Sequence, residues 1–400
     1  MAYVAVKGGG EARAESLKLL EKNRAAGSAP VEPEALEKRM GLLIDRIMGE
    51  AGFYAPAYAA LALKQSEGSP EEAVFLLRAY RSTLSRSYLS LPLDGADMRI
   101  LRRVSAAFKD IPGGQFLGAA YDYTHRLLNF DLIQSGETLQ PGGPDLSGGH
   151  PGSVEPDGPG EGPIYAARVS GELRREGLIT SEADDEGEPW DITEYPLRFP
   201  APRSARLQTL ARADTGYISG LAYAAIRGFG SSHPTVGELR TGALEVIIPH
   251  PLMEGERLCV GEMVLTEVES LFPGEDQRVK AEAEKDPLKI LGSGQGDKAD
   301  YSTNALSLAA GYGLVFGRND AKAIAMSILD YSLGIRVEDA APQGTGGGSV
   351  LNNQEFVLLH GDCLEMNGFI SHLKLPHYVT FQSKLDRVRH TRKKEEHDGL

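Results

Sequence analysis

Between Pro141 and Pro163 the sequence reads PGGPDLSGGHPGSVEPDGPGEGP, and glycine and proline fill 14 of its 23 positions. Such a stretch has few side chains to bury and favours neither helix nor ladder, so it cannot help to build a core. It is a flexible linker or a surface insertion, and folding must proceed on either side of it. His150, inside it, carries no functional weight. At 400 residues the chain also exceeds what one compact core usually holds, so two or three subdomains are expected. The boundaries read as 1–140, mainly helical; 141–163, the linker or insertion; 164–345, an α/β part; and 346–400, a C-terminal segment with a basic tail.

Before the break, a short apolar run (AYVAVK) meets a GGG turn and then the amphipathic EARAESLKLLEKNRA. Strand, glycine turn and helix can cradle phosphate, but KGGG lacks both GxxxxGK[ST] and GxGxxG spacing, so a tight turn is the plainer reading. From Glu34 to about Ile133 the spacing is mostly helical. EALEKRMGLLIDRIMGEAG and EEAVFLLRAYRSTLSR repeat apolar residues at three and four positions. AYDYTHRLLNFDLI continues the habit, with His125 reading as a packing residue.

After the break and an acidic loop that holds the only tryptophan, Trp190, LQTLARADTGYISGLAYAAIRG reads as one helix. TGALEVIIPH and ERLCVGEMVLTEVES read as strands. GYGLVFGRNDAKAIAMSILDYSL is a strand followed by a helix, and QEFVLLHGD is strand-like. The fold class is therefore α+β: a helical N-terminal part, then a mixed sheet-and-helix C-terminal part.

Three stretches can carry chemistry. In HLKLPH, proline has no amide hydrogen and biases Leu375 away from helix, so the helix through MNGFISHLK should stop there. YVTFQSKLDRVR then starts another helix, with proline tolerated at its first turn. His372 and His377 flank this corner and can converge on one ion such as zinc, or simply cap and pack it. Two ligands do not complete a zinc site. His360 and Cys363 just upstream can supply the rest, or another subunit can.

The second stretch, GFGSSHPTVGELR, combines a glycine-rich turn with His233, Glu238 and Arg240. Glu238 and Arg240 are two apart, so on a strand they share a face, and a guanidinium there can hold phosphate or phosphonate bidentately. The plainer alternative is a turn with a surface ion pair. In the third, GYGLVFGRNDAKA, Arg318, Asn319 and Lys322 surround a helix start that favours anions, although Asp320 also suits a plain cap.

Composition limits the partners. A formal net charge of −14 opposes broad nucleic-acid binding, which needs a basic surface. The basic run Arg387–Lys394 reads as a solvated helix end. No run approaches the roughly 18 apolar residues of a membrane span. The first residues lack a secretory pattern, and only Cys259 and Cys363 occur, so the cytoplasm is the expected compartment.

Together, YVAVKGG, GFGSSHPTVGELR, GYGLVFGRNDAKAIAMSILD and HGDCLEMNGFISHLKLPHYVTFQSKLD resemble the PhnI family, a subunit of the bacterial carbon–phosphorus lyase core complex. The likeness runs nearly end to end and fades at 141–163, in the acidic loop that follows and past about Arg392. The resemblance implies phosphonate catabolism, with the subunit acting beside PhnG, PhnH and PhnL to displace adenine from ATP by a phosphonate. The product is a ribose 1-phosphonate 5-triphosphate. Alone, the subunit is expected to act as a nucleosidase. It also implies zinc held by His372 and His377 at a contact with the radical subunit PhnJ. Within that chemistry His233 is the candidate acid toward adenine, and Glu238 orients it or steadies the sugar. Arg240, Arg318 and Lys322 are candidates for the anions. Two rivals stand beside this reading: a self-contained zinc hydrolase using His360, Cys363, His372 and His377, and a scaffold that binds nucleotide without chemistry.

Overall fold

The structure is a computed structural model and describes residues 9–25, 30–107, 114–118, 120–124, 126–128, 130, 165–179, 188–229, 234–273, 307–334, 350–374 and 378–398. The opening strand candidate, the Gly/Pro segment, His125, His150, His233 and His377 lie outside the described residues.

Five helices come first: α1 (Gly9–Arg24), α2 (Pro33–Arg39), α3 (Gly41–Ala51), α4 (Pro56–Gln65) and α5 (Pro70–Ser82). Proline opens α2, α4 and α5, where its missing N–H costs nothing. Ser69 caps α5 by accepting from the Glu72 amide. Ile44, Ile47, Met48, Leu63, Val74 and Leu77 form the helical core, and buried Cys363 from far along the chain joins it. The expected α+β class is what the chain adopts.

The remainder centres on one antiparallel sheet in the order β1 (Arg99–Ser105), β2 (Thr235–Pro249), β3 (Arg257–Pro273), β4 (Leu308–Phe316). The later helices among the described residues are α6 (Val169–Arg175), α7 (Arg203–Arg212), α8 (Thr215–Ala224), α9 (Asp320–Gly334), α10 (Gln354–Leu359), α11 (Cys363–Ser371) and α12 (Tyr378–Asp398).

Four local expectations change. The stretch read as helical from Glu34 to Ile133 contains β1, because three of its seven residues are arginines that mask a strand pattern, and Arg103 among them is buried. Within AYDYTHRLLNFDLI the described residues hold only a 3-10 turn, Tyr121–Tyr123. The single helix read over LQTLARADTGYISGLAYAAIRG is two helices and a π-turn (Ala225–Phe229). Ala213 is extended and Asp214 caps α8 by accepting from the Tyr217 amide at 2.7 Å. QEFVLLHGD carries α10 rather than a strand: Asn353 caps it, and Val357 and Leu358 are buried. Six apolar-rich residues fit either period, and the cap decides.

Alternation gives the sheet two different faces. One packs on α7, α8 and α9 through Leu239, Val268, Phe272 and Val315. There Gly311 and Gly313 let β4 approach the backbone of α9. A Cβ at Gly313 would sit 2.0 Å from the Ala323 carbonyl oxygen, and one at Gly311 equally close to that of Ser327. On the other face a band of charge separates two apolar patches, Met98–Leu244–Leu265 and Leu173–Ile179–Leu271.

The close approach is testable. Gly313→Ala forces the strand off the helix and should destabilise the chain by about 1–3 kcal/mol or more. A lower denaturant midpoint checks this, and an unchanged midpoint would refute the contact.

Candidate functional site

The band on the second face is built from strand positions two apart. Arg103 on β1 pairs with Glu238 on β2 at 2.7 Å, and the Val169 amide donates to the other Glu238 oxygen at 2.8 Å. Arg240 is 1% exposed and pairs with Glu267 on β3 through Nε (3.1 Å) and Nη2. It also donates to the Ala166 and Gly95 carbonyls, both at 3.1 Å. Arg168 and the Tyr312 hydroxyl reach Glu267 at 2.6 and 2.8 Å, and Arg174 reaches Glu269 at 2.9 Å. Burial works against the Arg168 charge, but Glu267, Tyr312, Glu269 and Asp94 together outweigh it and hold the guanidinium above its usual value. Burial, then the Glu267 charge, raises the Tyr312 phenol.

Glu238 and Arg240 do share a face, but in place of a surface ion pair they join a buried lattice. Its other members, Arg103, Arg168, Arg174, Glu267, Glu269 and Tyr312, escaped sequence reasoning. The available signal was TEVES: its two glutamates, spaced two apart in an apolar strand, match the spacing in GELR.

The third stretch leads elsewhere, to a junction between the helical core and the sheet. The Arg318 amide donates to Asp45 on α3 at 2.9 Å, and its half-exposed side chain lies 4.0 Å from the same carboxylate. Lys322, on the first turn of α9, is fully buried and donates through Nζ to the Ala213 carbonyl at 2.8 Å. Burial lowers its ammonium to about 8, against the pull of Glu50 and Asp214. Arg46 pairs with Glu50 at 2.8 Å and Asp214 at 3.0 Å, and Thr215 donates to Glu50 through both its amide (3.0 Å) and its hydroxyl (2.8 Å). The HGDC motif closes the junction. Asp214 N–H donates to the Gly361 carbonyl at 2.8 Å, while Asp362 caps α11 and pairs with Arg78 at 2.5 Å. Lys322 and HGDC therefore meet although far apart in sequence, and neither reaches the sheet lattice through any bond described above.

At the HLKLPH corner, α11 ends at Ser371, a 3-10 turn covers His372–Lys374, and α12 begins at Tyr378. Leu375 and the proline, where the break is expected, lie outside the described residues, in the interval between that turn and α12. His372 Nδ1 lies against the Phe369 carbonyl. An imidazole at this position is a donor type that zinc accepts. His360 Nδ1 faces the Phe356 carbonyl at 2.9 Å. Cys363 is buried, and burial raises its thiol to about 12, which disfavours a thiolate ligand. Among the described residues no group of three or more His, Cys, Asp and Glu side chains gathers for a metal ion. A cavity of about 320 Å³ opens beside Asp94, Arg99, Glu245, Arg257 and Glu262, and none of the residues singled out in the sequence lines it.

Two outcomes are expected. Arg240→Met leaves Glu267 buried with less compensation and should cost about 3–5 kcal/mol, whereas Arg318→Met should stay within about 0.5 kcal/mol. Urea unfolding compares them, and equal losses would contradict the lattice. Lys322 has a native pKa below its unfolded value, so between pH 8 and 10.5 the unfolded state holds more protons and stability rises with pH. Cys363 opposes this above pH 9, where its raised native pKa makes stability fall. Wild type should therefore gain stability from pH 8 to 9, and Lys322→Met should lose that gain; a parallel pH profile for the variant would exclude it.

Residues 2–395 match the family model described as bacterial phosphonate metabolism protein (PhnI). The chain is 40% identical over 405 residues to the alpha-D-ribose 1-methylphosphonate 5-triphosphate synthase subunit PhnI of Escherichia coli, covering 99% of both chains. It is also 40% identical over 404 residues to the subunit of that name from Rhizobium meliloti, covering 99% of this chain and 96% of the relative. By this end-to-end match, the chain belongs to the PhnI family of bacterial phosphonate metabolism proteins.

Proposed function

We propose that this chain is the ribosyl-transferring subunit of a carbon–phosphorus lyase complex in phosphonate catabolism. The observation that carries the reading is the near-full-length identity to two proteins named as subunits of the ribose 1-methylphosphonate 5-triphosphate synthase. In the reaction, the bond from C1′ of ATP to adenine N9 breaks as a phosphonate oxygen bonds to C1′. A proton goes to the leaving adenine, and ribose 1-phosphonate 5-triphosphate forms. Water in place of the phosphonate gives nucleosidase activity. PhnG, PhnH and PhnL are the partners for this step, PhnJ later breaks the C–P bond, and the compartment is the cytoplasm. No helix among the described residues is long and apolar enough to cross a membrane.

His233, two positions before β2 begins, is the proposed acid toward adenine. Glu238 and Arg240 are buried and engaged in ion pairs, so their part is to position the start of β2 rather than to touch substrate. Arg318, half-exposed before α9, suits contact with an anion. Lys322, buried beside it, supports the junction with its charge. Zinc would be held by His372 and His377 with PhnJ completing the shell, and would supply Lewis acidity or cross-subunit structure there.

The test is adenine release from ATP by the assembled subunits, with and without methylphosphonate. Release that becomes phosphonate-dependent, and that His233→Ala lowers by about 100-fold or more, is the expected result. ATP left intact by the full complex would sink the reading. Metal analysis of the complex should show zinc that falls when His372 or His377 becomes alanine, and zinc retained by both variants would remove the shared site.

A further inference from the structure

The carboxyl end of α3 gathers charge that neither the sheet lattice nor the proposed acid uses. Gly52 ends that helix in the left-handed region at φ 63°, a conformation glycine adopts without strain. A Cβ there would lie 3.1 Å from Arg212 Cδ and Nε and 3.1 Å from Arg81 Nη1. The guanidiniums of α5 and α7 therefore converge on Gly52 more closely than a side chain there would allow.

Capping accounts for part of this cluster. Arg78 donates to the Glu50 carbonyl through Nε (3.1 Å) and Nη2 (2.6 Å), and Arg81 donates to the Gly52 carbonyl at 3.0 Å. These bonds neutralise the negative end of α3. Arg78 is further satisfied by Asp362. Capping does not account for Arg212, whose Nε is buried with no partner among the described residues. The acids that act on Arg212 are Asp362 and Asp191, and these already pair with Arg78 and Arg86. Burial, then the charges of Arg78 and Arg81, lower the Arg212 guanidinium to about 10, and burial with Arg78 and Arg86 lowers Arg81 in the same sense. In a chain of net charge −14, like charges pressed together in partial burial are costly unless an anion offsets them.

We propose that Arg81 and Arg212, bordering Gly52 at the end of α3, form a binding site for a phosphoryl oxyanion, a phosphonate or the phosphate chain of a nucleotide. Planar guanidiniums bind such tetrahedral anions through paired N–H bonds, and the absent Cβ lets the two guanidiniums converge on one point. The site deepens the ribosyl-transfer reading and rests on it only for which anion is bound.

Calorimetric titration of the purified full chain with inorganic phosphate, methylphosphonate and tripolyphosphate, at constant ionic strength, tests the site. Saturable binding that Arg212→Gln weakens by about tenfold or more is expected, with a smaller loss in Arg212→Lys. Arg387→Gln, on the exposed surface of α12, should bind as wild type does. Unliganded Arg212→Gln should unfold no earlier than wild type, since it relieves like-charge repulsion. If that variant does not fold, Arg81→Gln, which removes one capping bond, takes its place with the same expected loss. Stronger binding of methylphosphonate assigns the site to the attacking group, and stronger binding of tripolyphosphate assigns it to the nucleotide; either supports the proposal. Wild type without saturable binding, or binding untouched by these variants, overturns it. Adenine release is read separately in the assembled complex, so failure of the transfer reaction leaves the calorimetric result standing.

Discussion

The arrangement of this protein depends on charges buried in the centre of a sheet. An unpaired arginine or glutamate taken out of water is costly, and a buried pair breaks even only when geometry and further hydrogen bonds are good. Arg103, Glu238, Arg240 and Glu267 meet that condition together, since each is bonded to another strand or to the covering backbone at 166–169. Such a lattice has one workable register. Shifting β2 by one residue would turn Glu238 and Arg240 toward the apolar face against α9, so the ion pairs specify the strand alignment. The covering chain must also come to the sheet, because it supplies the carbonyls and the amide that complete the bonding.

A second set of charges joins the two cores. Arg46, Glu50, Asp214 and Lys322 tie α3 to the break between α7 and α8 and to the first turn of α9. Asp362 and Arg78 add the amino end of α11. Rigid placement of α11 in turn sets where the 3-10 turn holding His372 leaves the body of the protein. The proposed chemistry thus lies at the edges: a histidine just before β2, another just after α11, and arginines beside the end of α3. Buried ion pairs supply the rigid frame between them.

Much of this was legible in the residues. Periodicity gave the helical core, β2, β3, β4 and α9, and proline at HLKLPH marked the gap between α11 and α12 at the right place. The misreadings share a cause. β1 was hidden because its arginines look like a solvent-facing helix, and the lattice was hidden because charged residues in strands are ordinarily exposed. Asp214 in ARADTG is a visible cap signal that divides α7 from α8, but small residues on both sides preserve a helical look.

The sequence alone determined the α+β class, the identity of the chemistry-bearing stretches and the family they resemble, since these depend on local spacing and on residue type. Only the tertiary structure decided what those side chains do with their charges. It committed Glu238 and Arg240 to partners on β1 and β3, placed Lys322 against a carbonyl 109 positions away in the chain, and set Arg212 beside Gly52. The reason is physical: whether a charge serves as a ligand site or as a structural tie depends on which opposite charge lies within a few ångströms, and that neighbour is distant in sequence.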